Sequence, residues 1–83
     1  MDPTADSCVD LARKYLETGR YMEAMVVAKK RIKGHPRDCE IRLVLAQVYM
    51  AQGKNSQAVE ELEKLLEISP GHEAAKALLR KLG

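Results

Sequence analysis

The cysteines and histidines of this 83-residue sequence, the types a structural zinc site draws on, number four: Cys8, His35, Cys39 and His72. A structural zinc site needs four such donors in tetrahedral array, usually drawn from closely spaced pairs. No pair here shows the spacing of a zinc finger. Cys8 falls within an apolar helical stripe, and each histidine follows a helix end close to a proline. A packed thiol and two turn histidines are the simpler reading, so no metal is expected. Covalent catalysis has no better footing. No Ser-His-Asp or Cys-His set stands in a recognisable nucleophile context, and no glycine-rich loop could cradle a phosphate. The chain reads as non-catalytic and free of cofactors.

The remaining concentration of chemistry is the basic run Lys29-Lys30-Arg31-Ile32-Lys33. One reading is a nucleic-acid patch over residues 29–37 or a localisation signal. The plainer one is a solvated last helical turn, whose cations suit the negative end of the helix dipole. The net charge is only +2, too small to announce a polyanion, so nucleic acid ranks well below a protein partner. No apolar run is long enough to span a membrane. Met1–Ser7 is acidic and polar, unlike a secretory leader. With two cysteines not expected to meet at disulfide distance, a reducing, cytoplasmic setting is the simplest expectation.

Helices must position these groups. Leu45, Ala46, Tyr49 and Met50 form one apolar stripe of period 3.6, and Ala58, Leu62, Leu65 and Leu66 form another. Gly53 lies between them, where a helix end needs a residue tolerant of positive φ. Asn55 or Ser56 is placed to cap the second helix, and Pro70 stops it. Residues 43–70 thus form an αα-hairpin. The pattern occurs once before, 34 residues upstream: Leu11, Ala12, Tyr15, Gly19, Ala24, Lys30 and Pro36 recur as Leu45, Ala46, Tyr49, Gly53, Ala58, Lys64 and Pro70. Unrelated segments of that length would share about two identities at average composition.

The stretches CVDLARKY, AMVVA and Pro36, then RLVLAQVY, AVEEL and Pro70, resemble the tetratricopeptide repeat family, a 34-residue helix–turn–helix. The resemblance covers residues 5–72. Cys8 and Arg42 stand where the family often has Trp, Ala12 and Ala46 replace a small Gly, and Ala28 and Leu62 replace an aromatic. Arg31 and Leu65 fall where a third small residue is usual. The expected fold is therefore all-α: a solenoid of two repeats, 5–38 and 39–72, with a capping helix over 72–82, in one domain. Helices are expected at Thr4–Thr18, Tyr21–Lys33, Asp38–Gln52, Asn55–Ile68 and His72–Leu82. The packed stripes are Cys8, Leu11, Ala12 and Tyr15, then Ala24, Val27, Ala28 and Ile32, with Ala75, Leu78, Leu79 and Leu82 on the cap. Stacked repeats normally number about three or more. Two with a cap are near the minimum, so either a longer array or another surface is expected to cover the ends. Lys29 and Lys33 align with Glu63 and Glu67, which suggests opposite charges facing across the stack.

The resemblance also implies where function sits. First helices of successive repeats line a concave groove, and the side chains beside the packed stripe point into it. Those are Asp6, Val9, Arg13, Leu16 and Glu17, then Glu40, Leu43, Gln47, Met50 and Ala51, then Ala74, Ala77 and Lys81. Val9, Leu16, Leu43 and Met50 would make one exposed apolar patch edged by Arg13 and Lys81, with Gln47 free to bond a peptide backbone. Such a face suits an amphipathic helix or an extended apolar segment. In the competing reading the four apolar residues only fill the space between neighbouring first helices. The Lys and Asn set with which one subclass grips a C-terminal carboxylate is missing: Val9, Arg13, Leu43, Gln47, Ala77 and Lys81 hold those places. The function expected is protein or peptide binding by a scaffold module. Self-association through the open ends or the groove is the alternative.

Overall fold

The computed structural model describes the backbone of residues 3–82 and side chains from Cys8 onward. The side chain of Asp6, expected on the concave face, lies outside that range. Five helices follow one another: α1 (Pro3–Glu17), α2 (Tyr21–Gly34), α3 (Cys39–Ala51), α4 (Asn55–Ile68) and α5 (Glu73–Leu82). No strand occurs among the described residues. The boundaries match the periodicity to within about a residue, and Gly19 and Gly53 break the hairpins with φ of 78° and 75°.

The backbone repeats at the same 34-residue step as the sequence. Arg20 N–H donates to the Tyr15 carbonyl at 2.7 Å, and Lys54 N–H donates to the Tyr49 carbonyl at 2.8 Å. His35 N–H donates to Arg31 and Ser69 N–H to Leu65, each at 2.8 Å. α5 starts in the same way as α3. Asp38 caps α3 by accepting from Ile41 N–H at 3.3 Å, and His72 Nδ1 accepts from Ala75 N–H at 3.2 Å. One local expectation fails here. The residue capping α4 is Lys54, with no side-chain cap bond, so neither Asn55 nor Ser56 serves. Lys54 copies Arg20, the uncapped start of α2; in both hairpins the tight glycine turn fixes where the second helix begins.

α3 is the centre of the molecule. Seven of its 13 residues are buried: Ile41, Leu43, Val44, Leu45, Ala46, Val48 and Tyr49. On one side it joins Ala12 of α1, Ala24 and Ala28 of α2 and Ala58 of α4. On the other, Leu43 and Ala46 join Leu62 and Leu65 of α4 and Ala75 of α5. A helix buried nearly all round needs apolar residues on nearly every face, and α3 has them. The alanines are fully buried at the crossings, where a small side chain brings helix axes close.

Two expectations about the core are corrected. Leu11, read as packed, is 41% exposed, whereas its counterpart Leu45 is 1% exposed. Leu45 has α2 beside it, and no described element lies on the corresponding side of α1. Leu43, read as exposed, is 8% exposed, because it joins a cluster with Leu62 and Leu65 of α4 and Ala75 of α5.

Candidate functional site

An open hollow of about 470 Å³ lies where α1, α3 and α5 converge, lined by Arg13, Leu16, Glu17, Gln47, Met50 and Leu78. Helical spacing explains the set. Arg13, Leu16 and Glu17 stand at i, i+3 and i+4 on α1, and Gln47 and Met50 at i and i+3 on α3. Leu16 and Met50 are half-buried and rest on the core, so the floor is apolar and supported from beneath. Arg13 and Glu17 stand exposed at the edge with opposite charges. Gln47 is half-buried and makes no side-chain hydrogen bond among the described residues, which leaves its amide for a guest.

Of the seven residues expected to hold a partner, Arg13, Leu16, Gln47 and Met50 meet around this hollow, joined by Glu17 of the same expected face, and three do not. Val9 is half-buried against the core. Leu43 is withdrawn beneath α5, so the continuous patch of four apolar residues does not form. Lys81 is exposed on the last turn of α5, outside the lining. Leu78 supplies the α5 contribution instead. Sequence reasoning assigned it to the packed face of the cap, and only its place at the edge of that stripe pointed further.

Charged groups tie the first-helix layer together. Arg13 Nη2 lies 3.4 Å from Glu40 Oε2, and the other oxygen of Glu40 faces His72 Nε2 at 3.9 Å. Both ends of the Arg13–Glu40 pair are exposed, so it sets orientation more than stability. Arg42 is different. Its Nη1 meets Glu61 Oε2 at 3.0 Å and its Nε donates to the Pro36 carbonyl at 3.0 Å, with both ionic side chains almost buried. The residue standing where the family often has Trp therefore joins the α2–α3 turn to α4.

The basic run is not one patch. Arg31 turns inward to Asp38, Nε to Oδ2, at 2.9 Å, and Ile32 packs on the core. Lys29, Lys30 and Lys33 remain exposed. None of the three makes an ion pair among the described residues, so the expected pairing of Lys29 and Lys33 with Glu63 and Glu67 does not form within the chain. α2 and α4 are instead each packed against α3.

A second apolar hollow, of about 390 Å³, opens beside α1, lined by Cys8, Leu11, Val27, Lys30, Arg31, Gly34 and His35. One step of 34 further on, the places of Cys8 and Val27 are held by the Arg42–Glu61 pair. Both thiols are free and half-buried. Among the described residues no three of His, Cys, Asp and Glu gather as metal ligands, and no helix is long and apolar enough to cross a membrane.

Comparison with known proteins agrees with this architecture. No curated protein matches the chain. A family model described as tetratricopeptide repeat matches residues 15–82, from the last turn of α1 to the end of α5. Repeats of that family generally mediate protein–protein contacts and are typically non-catalytic. With most of its length matched and its backbone repeating at the same 34-residue step, the chain belongs to the tetratricopeptide repeat family.

Proposed function

We propose that this chain is a non-catalytic scaffold module that binds a protein or peptide segment along the face formed by α1, α3 and α5. The observation that carries the reading is the open hollow with an apolar floor of Leu16, Met50 and Leu78. An amphipathic helix laid there would seat its apolar side on that floor. Met50, unbranched and polarizable, adapts to the shape of the guest. Gln47 bonds the guest's backbone or a polar side chain, while Arg13 and Glu17 select charge at the edge. Val9 and Lys81 belong to the wider face on either side of the hollow, and Leu43 supports it from beneath. A cytoplasmic setting, where both thiols stay reduced, suits such a module.

The test begins with peptides selected from a displayed library of amphipathic helices on the wild-type chain. Met50→Glu is expected to weaken the best of them by about tenfold or more, as loss of a central contact does. Its helical circular dichroism should stay intact. Gln47→Ala should weaken binding less. A folded Met50→Glu variant that binds like wild type would contradict the reading.

Self-association is the second reading. It is favoured by one observation: the large hydrophobic side chains left exposed, Leu11, Met22 and Val26, all belong to the first hairpin.

A further inference from the structure

The outer faces of α2 and α4 carry opposite chemistry in the same register. On α2, Met22, Val26, Lys29 and Lys33 recur at steps of four, three and four, which places them on one face of the helix. All four are exposed, Met22 at 65% and Val26 at 62%. One repeat of 34 later the same positions of α4 hold Ser56, Glu60, Glu63 and Glu67, again all exposed. So one stripe is apolar and basic, and its structural equivalent is acidic. Within the chain the two stripes do not meet: none of Lys29, Lys33, Glu60, Glu63 or Glu67 forms an ion pair among the described residues.

We propose that a second copy of this chain docks on that outer face, with α2 of each copy lying over α4 of the other. The geometry follows from the repeat. Successive helices joined by tight turns reverse direction, so α2 and α4 run the same way. A two-fold axis parallel to both, standing in front of the outer face and level with the midpoint between them, carries α2 onto the place opposite α4, without reversing it and without changing its height. Every residue of the α2 stripe then faces its own counterpart 34 residues on. Lys29 comes opposite Glu63 and Lys33 opposite Glu67, and symmetry gives each pair twice. Val26 comes beside the methylenes of Glu60, and Met22 beside Ser56. Such an interface is self-complementary, as a two-fold interface must be. Like charges would oppose each other if the axis instead set α2 upon α2. The charge pattern therefore selects one arrangement of the two copies. Four solvated ion pairs with a few apolar contacts make a weak contact, formed at high concentration and loosened by salt. This makes the second reading above specific. It uses a face away from the α1–α3–α5 hollow, so its failure leaves peptide binding untouched.

Sedimentation equilibrium of the whole chain tests it, in about 25 mM and about 500 mM NaCl, where the screening length falls from about 20 Å to about 4 Å. The mass should rise with concentration from 9.3 kDa toward twice that in low salt, and less so in high salt. Lys29→Glu with Lys33→Glu should raise the dimer dissociation constant by about tenfold or more, and so should Glu63→Lys with Glu67→Lys. An equimolar mixture of the two variants should dimerise again, and so should the chain carrying all four changes, because each restores opposite charges. The substituted positions are exposed, so the fold should persist, and circular dichroism checks that it does. A wild-type chain that stays monomeric near millimolar concentration in low salt overturns the proposal. So does a dimer that survives both charge reversals, or one lost on Leu11→Lys while the charge variants keep it, since copies would then meet at the open end of the stack.

Discussion

Arg42 and Glu61 show how one repeat position can be filled by two kinds of chemistry. In the first hairpin the corresponding places hold Cys8 and Val27, which need no partner. In the second they hold opposite charges 3.0 Å apart and almost out of water. Removing one member leaves the other desolvated, so Glu61→Ala should cost on the order of 3 kcal/mol in chemical denaturation. Replacing both, Arg42→Leu with Glu61→Val, should cost far less, because an apolar pair of similar volume needs no compensation. Leu45→Ala should cost about 2–5 kcal/mol, as a fully enclosed leucine does. Leu11→Ala should cost well under half of that, since no described helix lies beside α1 on that side. Periodicity marks Leu11 and Leu45 as equivalent, and in the backbone they are. It does not count neighbours, and burial depends on them. The same limit explains Leu43. The stripe of α3 leaves it to one side, and the side chains of α4 and α5 enclose it.

At the scale of elements, nearly everything is legible from the chain, because the breaks rest on local backbone physics. Gly19 and Gly53 adopt φ values near +75° to +78°, which cost a residue with a Cβ about 1 kcal/mol or more. Gly53→Ala should therefore lower the stability by about 1 kcal/mol, although no atom lies within 4 Å of the added methyl. Gly34 provides the contrast. It ends α2 without a positive φ and has equally open surroundings, so Gly34→Ala should be neutral or stabilise by up to about 1 kcal/mol. Thermal unfolding of the two variants side by side separates backbone strain from crowding. Caps are harder to foresee. Asn55 and Ser56 are better capping types than Lys54, yet the glycine turn sets where α4 begins and leaves Lys54 at the cap.

The whole molecule carries two proposed binding faces that the chain reveals unequally. Four of the seven residues expected at the groove meet around one hollow, because the 34-residue step aligns α1 with α3. The cap breaks that alignment: Leu78 lines the hollow where Lys81 was expected, and α5 packs mainly on α4. The outer face could be read as charge complementarity, but whether it is satisfied inside the chain or between chains depends on where α2 and α4 sit about α3. Binding in the groove and pairing on the back are separable, so a dimer should still take up a peptide. The most direct test of the groove is an amide ¹H–¹⁵N correlation spectrum of the labelled chain during titration with a selected amphipathic peptide. A guest seated as proposed should shift Arg13, Leu16, Gln47, Met50 and Leu78 most, and leave Met22, Val26 and Glu63 in place. Largest shifts around Leu11 and Val27, or along α2 and α4, would contradict a binding groove between α1, α3 and α5.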